Sequence, residues 1–228
     1  MPRLPRICVP HVPHHVTARG NRREPIFFED ADQDLYCDIL AEQVRKARVE
    51  VWAYCLMPNH VHLILCPGDG EGLSRALGAA HKRWANFINA RGRWKGPLFD
   101  RRFASVAMDE PHLIAALRYV ALNPVRAGLV RMARDWKWSS VRAHLAGKDD
   151  GLVTVGPVLD RVADFASLIS DPTDEAGFAT LRAAEQTGRA VGTAEFVTGL
   201  ERLLGRRIAR RAPGRKPAKP PDPQERLL

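Results

Sequence analysis

Apolar and polar residues alternate along the first two thirds of the chain in patterns that predict strands and helices in turn. Three short apolar stretches have the length and composition of strands. They lie at residues 15–18, 49–66 and 99–107. Where apolar residues instead recur three and four positions apart, helices are predicted, over residues 30–46, 73–90 and 111–122. This order is typical of an α+β sandwich, and we expect the helices on one face of a mainly antiparallel sheet.

The second apolar stretch carries two histidines two positions apart, His60 and His62. Residues i and i+2 of a strand point to the same face, so the two imidazoles would project side by side. Two imidazoles held in this way make half of a metal site. The pattern is short, and two core histidines bonded to backbone carbonyls explain a bare His-x-His better. The metal interpretation therefore depends on other residues that converge on the same site.

The third predicted helix supplies two such residues, Tyr119 and Asn123, and Asp109 is a good N-cap for it. Tyr119 and Asn123 are four positions apart, so they share one helix face and present a hydroxyl and an amide oxygen together. Pro124 disfavours helical geometry at the preceding residue, which places Asn123 at the predicted end of the helix. The alternative is an amphipathic helix whose tyrosine packs its ring and whose asparagine caps the end.

Six blocks spread over roughly residues 12–142 combine these features in one order. They are residues 15–23, 26–28, 57–62, 96–103, 117–130 and 136–140. In sequence, order and separation, the set resembles the REP-associated tyrosine transposases, which are HUH single-tyrosine transposases. The set as a whole is specific. One departure is Trp84, where relatives commonly have tyrosine.

The resemblance implies a ferredoxin-like or RRM-like fold and a metal-dependent reaction on DNA. It implies that Tyr119 is the nucleophile and that His60 and His62 bind a divalent cation, Mg²⁺ or Mn²⁺. It also implies that Asn123 is the third protein ligand, at a position where relatives often carry glutamine. The implied activity is that of a single-stranded DNA endonuclease and strand transferase. Such an enzyme forms a 5′-phosphotyrosine and acts on hairpin-forming repeat DNA.

The net charge of +9 agrees with a nucleic-acid partner and is unevenly distributed. Residues 206–228 contain eight basic and two acidic residues and therefore carry +6. A basic tail of this kind can neutralise phosphates and release counterions. The alternative is a solubilising tail without a specific partner. In the rest of the chain, the residues predicted to contact DNA are Arg19, Arg22, Arg23, Lys82, Arg83, Arg101, Arg102 and Arg126.

The chain divides into three predicted regions. Residues 1–148 hold all six blocks and form the predicted catalytic domain. Residues 149–205 form a helical C-terminal region, in which two helices around residues 187–192 indicate a helix-turn-helix. A small packing hairpin explains that pair of helices equally well. Residues 206–228 are rich in proline, arginine and lysine and form a predicted disordered tail.

Other functional classes find little support in the sequence. The four cysteines are scattered without a Cys-x-x-Cys pair, which fits a reducing cytoplasm. The first residues lack the apolar core of a signal peptide, and no apolar run is long enough to cross a membrane. We therefore expect a cytoplasmic protein without a membrane partner, either a monomer or a homodimer.

The alternative function is a catalytically silent nucleic-acid-binding protein on the same scaffold. The intact set of Tyr119, Asn123 and the histidine pair favours the enzyme. A metal hydrolase is disfavoured, because no carboxylate lies near the histidine pair in the sequence. His11, His14 and His15 form a second histidine cluster, which we interpret as strand or DNA-proximal residues and not as ligands.

Overall fold

The computed structural model describes residues 7–170 and 175–209, and their centre is a four-stranded antiparallel sheet in the order β2-β3-β1-β4. Strands and helices alternate along the first half of the chain, as the sequence predicts. They are β1 (His14–Arg19), α1 (Asp30–Lys46), β2 (Val49–Met57), β3 (His60–Pro67), α2 (Gly72–Gly92), β4 (Ala104–Ala107) and α3 (Glu110–Arg126). Five further helices follow: α4 (Val141–Ala146), α5 (Gly156–Leu159), α6 (Phe165–Ser170), α7 (Glu175–Thr187) and α8 (Ala194–Leu204).

The apolar stretch over residues 49–66 is a hairpin of two strands, β2 and β3. Pro58 and Asn59 form the turn, and Met57 pairs with His60 on either side of it. Proline lacks a backbone N–H for the ladder, so the stretch breaks into two strands at Pro58. The stretch over residues 99–107 contributes a shorter strand than expected, because regular pairing begins only at Ala104.

Helices cover both faces of this sheet. On one face, Val16, Leu63 and Leu65 pack against α1 and α2 in a first core. On the opposite face, Ile64 and Val106 pack against α3, α6 and α7 in a second core. The α+β class and the antiparallel sheet are confirmed, but the expectation of helices on one face needs correction. Successive residues of β2 and β3 are apolar, so both faces of the sheet exclude water and both need a covering layer.

Helix α3 continues through Pro124 and ends at Arg126, so the expected end at Asn123 is wrong. Asp109 caps its first turn, as predicted, by accepting a hydrogen bond from the His112 N–H. Residues 121–124 are buried, and this packing outweighs the local cost of a proline inside the helix. Tyr119 and Asn123 therefore stand one turn apart on a continuous helix, which fixes their relative positions.

The C-terminal helices pack onto the same body. Phe178 of α7 is fully buried and lies against the ring of Tyr119, with ring centroids 5.2 Å apart. Leu200 of α8 packs with Ile7 and Val9 near the start of the described chain. Thr193 caps α8 by accepting a hydrogen bond from the Phe196 N–H. These contacts support a packing role for the α7–α8 pair, and DNA binding by a helix-turn-helix stays a prediction.

Two further expectations concern the basic tail and membrane-spanning helices. Of the predicted tail, residues 210–228 lie outside the described residues. Within the described ranges, none of the helices is long and apolar enough to cross a membrane.

His14 makes the stability of this fold dependent on pH. The Val9 N–H donates to its Nε2, and its Nδ1–H donates to the Val12 carbonyl, so the neutral ring is fully satisfied. Burial lowers the pKa of His14 from 6.5 to about 4. Between pH 6.5 and about pH 4, His14 is protonated in the unfolded chain but neutral in the folded chain. The free energy of unfolding therefore falls as the pH falls from 6.5 towards 4. We expect His14 to contribute about 2 kcal/mol to the loss in the free energy of unfolding between neutral pH and about pH 5.

Urea titrations at the two pH values measure this loss. His14→Gln is the matched variant, because its amide keeps one acceptor and one donor but does not titrate. We expect a smaller loss of stability on acidification in this variant. Equal losses in the variant and the wild type would show that His14 does not cause the pH dependence.

Candidate active site

A cleft of about 260 Å³ opens on the α3 face of the sheet, beside the ends of β1 and β3. His60 and Tyr119 both line it, although they come from β3 and α3. Glu185 and Arg182 of α7 line one side, so this C-terminal helix completes the cleft. The fold thus brings the predicted nucleophile and one predicted metal ligand into one space.

The two predicted metal ligands lie side by side, as their spacing on a strand requires. The ring centroids of His60 and His62 are 4.8 Å apart, and the rings stand at 82° to each other. His60 Nδ1 lies 2.6 Å from Asn59 Oδ1, which accepts a hydrogen bond from the Nδ1–H. The lone pair of the ring is then on Nε2. Nε2 of His62 is buried and has no hydrogen-bond partner among the described residues. This unpartnered nitrogen fits a metal ligand better than a structural core histidine.

His15, which the sequence analysis set aside, belongs to the same cluster. Its Nε2 lies 3.0 Å from Nδ1 of His62, and the two rings are nearly parallel at 13°. His15 is placed there by strand register: it faces Ile64 across β1 and β3, and Thr17 faces His62. The pattern of single strands could not reveal this neighbour, because it depends on how β1 and β3 pair.

Glu185 brings a carboxylate to the histidine cluster in space, although no carboxylate lies near the histidine pair along the chain. Its Oε1 lies 3.6 Å from Nδ1 of His15, and its side chain is 18% exposed. Among His, Cys, Asp and Glu side chains of the described ranges, His15, His62 and Glu185 form the group that could hold a metal ion. A helix distant in sequence thus supplies a carboxylate at this site, so the site does not lack carboxylate chemistry.

Burial keeps the histidines of the cluster neutral at physiological pH. It lowers the pKa of His15 to about 4, and burial together with the Arg19 charge lowers the pKa of His60 to about 4. Burial and the neighbouring histidines hold the pKa of His62 well below its usual range. Neutral imidazoles keep the lone pairs that metal binding needs. Burial also raises the pKa of Glu185 to about 7, so this carboxyl is partly protonated near neutral pH.

Tyr119 projects its ring between the histidine cluster and Phe178. The ring stands perpendicular to that of His62, with centroids 5.3 Å apart, and is 8% exposed. Burial and the Glu185 carboxylate raise the pKa of Tyr119, while Arg182 and Arg126 act in the opposite direction. A hydrogen bond from Asn123 also lowers the pKa of the phenol. The hydroxyl is therefore protonated at neutral pH and needs help to act as a nucleophile.

Asn123 is thus placed beside the hydroxyl of Tyr119. Their spacing on α3 puts the two side chains on one face, and Asn123 is close enough to lower the pKa of the Tyr119 phenol. The role of Asn123 as a third metal ligand stays a prediction.

Comparison with known proteins identifies the family. The sequence model of a family described as IS200-like transposases matches residues 8–123, which is half of the chain. The chain belongs to the IS200-like transposase family. The matched residues include β1, β3 and α3 up to Asn123, and so hold all four residues predicted for catalysis and metal binding.

Two relatives support the predicted resemblance to the REP-associated tyrosine transposases. A candidate REP-associated tyrosine transposase of Haemophilus influenzae is 27% identical over 118 residues, which are 45% of this chain and 66% of that protein. The chain thus spans just under two thirds of that curated relative. A solved REP-associated tyrosine transposase bound to a REP hairpin superimposes with a TM-score of 0.55 at 22% identity. That superposition covers 68% of this chain and 90% of the other, and it confirms the fold.

A further solved structure, of a candidate transposase from Deinococcus radiodurans, is 20% identical and has a TM-score of 0.38. It covers 52% of this chain and 95% of that one.

In the IS200-like transposase fold of this chain, several of the arginines predicted to contact DNA line the cleft. Arg19, Arg23, Arg101 and Arg102 line it together with His60 and Tyr119, and Arg22 lines a neighbouring cleft. Arg182 also lines the cleft, and sequence reasoning missed it because it lies on α7, outside the matched family blocks.

The other predicted contacts lie elsewhere. Arg126 stands over the ring of Phe178, with its guanidinium carbon 4.6 Å from the centroid. Lys82 and Arg83 lie on α2, in the layer on the opposite face of the sheet. Arg83 forms an ion pair of 2.6 Å with Glu42. Lys82 and Arg83 therefore do not line the cleft, and their contact with DNA stays a prediction.

Proposed function

We propose that the protein is a metal-dependent single-stranded DNA endonuclease and strand transferase that forms a 5′-phosphotyrosine through Tyr119. The observation that carries this proposal is the meeting of Tyr119, a neutral His60 and several arginines in one cleft, with His62 directly behind His60. A phosphodiester is negatively charged, so its cleavage needs positive charge around the phosphate and a nucleophile aimed at phosphorus. The residues of the cleft supply both requirements.

His60 and His62 would hold a divalent cation, Mg²⁺ or Mn²⁺, with Asn123 as the predicted third ligand. When bound, the cation would polarise the scissile phosphate and neutralise developing charge. The unpartnered Nε2 of His62 fits this assignment. For that nitrogen to act as a ligand, the proton of His62 must sit on Nδ1 and point to His15 Nε2, 3.0 Å away.

His15 would therefore fix the tautomer of His62. If His15 accepts at Nε2, its own proton sits on Nδ1, which faces the Glu185 carboxylate at 3.6 Å. A carboxylate, a histidine and a metal-binding histidine form a common arrangement around metal centres, where the outer groups orient the ligand. In this proposal His15 and Glu185 position His62.

Tyr119 would attack the phosphorus atom, and the 3′-oxygen of the preceding nucleotide would leave in line. The new bond joins the tyrosine oxygen to the 5′-phosphate, and the leaving strand keeps a 3′-hydroxyl. A phosphodiester is exchanged for another phosphodiester, so rejoining to a second 3′-hydroxyl needs no ATP. The positive charges of Arg126 and Arg182 favour the phenolate of Tyr119 as its proton leaves.

The DNA partner is proposed as a hairpin with a single-stranded flank. One solved structure that shares this fold is described as bound to a REP hairpin, and the basic cleft suits a phosphate backbone. The charge of residues 206–228 would add phosphate contacts outside the cleft. The monomeric or dimeric state and a cytoplasmic location stay predictions.

A cleavage assay with strands labelled at either end tests this function. We expect Mn²⁺ or Mg²⁺ to produce a free fragment with a 3′-hydroxyl, while the fragment with the 5′-phosphate migrates with the protein. EDTA in excess should abolish both products. Cleavage that persists in EDTA would exclude the metal, and two free fragments would indicate attack by water, as in a hydrolase. Binding without cleavage in either metal would favour the catalytically silent alternative.

A further inference from the structure

A second cleft of about 580 Å³ lies beside the catalytic one and is distinguished by exposed aromatic rings. Trp94 is 51% exposed and Phe28 is 44% exposed, and both line it. Their ring centroids are 5.2 Å apart at an angle of 62°. Large aromatic side chains exposed together in a concave surface usually serve binding.

Trp94 is held in place by its surroundings. Its backbone N–H donates to the Asn89 carbonyl at 2.8 Å, just after Arg93 ends α2 in a left-handed conformation with a φ of 53°. The ring packs directly on Gly92, where a Cβ atom would lie only 2.6 Å from it. The indole therefore presents its exposed surface to the cleft without a large loss of side-chain freedom on binding.

The polar lining suits a nucleotide better than a purely apolar ligand. Arg22 and Lys95 supply positive charge for a phosphate, and Asn21 and Glu24 supply groups for hydrogen bonds to a base edge. Basic residues that follow a backbone, combined with aromatic rings on which bases stack, are the usual elements of single-strand binding. The volume lies within the range of about 300–1,000 Å³ typical of ligand pockets.

The two clefts meet at one short turn, Asn21–Arg23. Arg22 lines the aromatic cleft and Arg23 lines the catalytic cleft, and both adopt left-handed backbone angles, with φ values of 54° and 65°. Backbone hydrogen bonds tie this region to the neighbouring segment, from the Asn21 N–H to the Leu98 carbonyl and from the Asp100 N–H to the Arg19 carbonyl. One strand of DNA could therefore pass from Tyr119 over the turn and into the aromatic cleft.

We propose that Trp94 and Phe28 form a subsite that stacks an unpaired base of single-stranded DNA next to the scissile phosphate. This inference rests on the proposed DNA substrate, but not on the chemistry of Tyr119. The subsite would set which nucleotide beside the scissile phosphate is held, while the arginines of the catalytic cleft hold the backbone.

Fluorescence anisotropy with a short labelled single-stranded oligonucleotide tests the subsite. The measurement uses the full-length protein carrying Tyr119→Phe, so that cleavage cannot complicate binding. A set of oligonucleotides, each with one abasic site at a successive position, locates the stacked base. We expect Trp94→Ala to weaken binding of the intact strand roughly tenfold, and one abasic position to weaken it equally in the protein that retains Trp94.

The decisive result is the combination of the two changes. In Trp94→Ala, the abasic strand should bind no more weakly than the intact strand, because the base has already lost its partner. Trp94→Phe should recover part of the affinity, and the salt dependence should stay unchanged since no phosphate contact is removed. Leu129→Ala is the matched control, because Leu129 is a similarly exposed apolar side chain, at 44%, outside both clefts.

Two outcomes would overturn the subsite. Equal affinity of Trp94→Ala and its parent would show that the cleft does not bind DNA, as would a loss shared equally by the Leu129→Ala control. Additive effects of Trp94→Ala and the abasic site at every position would show that the tryptophan does not stack a base. Neither outcome depends on cleavage, so the subsite and the proposed reaction can fail separately.

Discussion

Replacement of Tyr119 by phenylalanine should abolish strand cleavage and leave DNA binding intact. The substitution removes the hydroxyl but keeps the ring, which packs against His62 and Phe178. Loss of the interaction between the hydroxyl and Asn123 should cost no more than about 1–2 kcal/mol of stability. Cleavage should fall by at least about a thousandfold, because the substitution removes the proposed nucleophile itself. A gel assay for cleavage and an anisotropy assay for binding measure the two effects.

Tyr36→Phe is the matched control for this prediction. Tyr36 is fully buried between α1 and α2, where its hydroxyl is bonded to His81, so its substitution removes the same atom on the opposite face of the sheet. We expect cleavage by Tyr36→Phe at the wild-type rate under conditions where the protein is folded. Cleavage by Tyr119→Phe at the rate of this control would rule out the nucleophile assignment.

Replacement of His62 by alanine should lower cleavage at least about a hundredfold by removing a metal ligand, since metal ions supply several kcal/mol of transition-state stabilisation. The affinity for Mn²⁺, measured by isothermal titration in the presence of DNA, should fall in parallel. Loss of the Asn123 side chain should have a smaller effect, because water can replace one ligand of a shell that the DNA partly supplies. Binding of DNA in EDTA should not change in His62→Ala, because the phosphate-binding arginines remain.

His11→Asn serves as the control for the histidine substitutions. His11 is exposed and has a φ of 60°, a conformation that asparagine tolerates, and it lies outside the cleft. Its cleavage and its Mn²⁺ affinity should match the wild type. If His62→Ala cleaved DNA as well as this control, the histidine pair could not be the metal site.

The parts of the site that sequence could predict are those set by local spacing. His60 and His62 share a face because they are two apart on β3, and Tyr119 and Asn123 share a face because they are four apart on α3. Neither inference needs the tertiary fold.

His15 and Glu185 could not be found in this way. His15 reaches His62 only through the register of β1 against β3, and Glu185 reaches His15 only because α7 packs over the sheet. Glu185 also lies outside the residues that match the family, so the resemblance gave no signal for it.

In the fold, too, the features set by local sequence could be predicted, whereas those set by tertiary packing could not. The bounds of α1 and the position of β1 follow from the apolar pattern, and the structure agrees with both. The end of α3 was wrong, because the local preference before Pro124 yields to the burial of residues 121–124. The distribution of the helices over both faces of the sheet was also missed, because an apolar strand indicates burial on both sides but does not show which helix covers each side.

The most direct test of the account is the mass of the covalent product. The protein would be incubated with single-stranded hairpin DNA and Mn²⁺, denatured, digested with nuclease and protease, and examined by tandem mass spectrometry. We expect a peptide that contains Tyr119 and carries a nucleotide linked through its 5′-phosphate, and we expect it to be absent in EDTA. A nucleotide attached to Tyr36 or Tyr54, or cleaved DNA without any modified peptide, would contradict it.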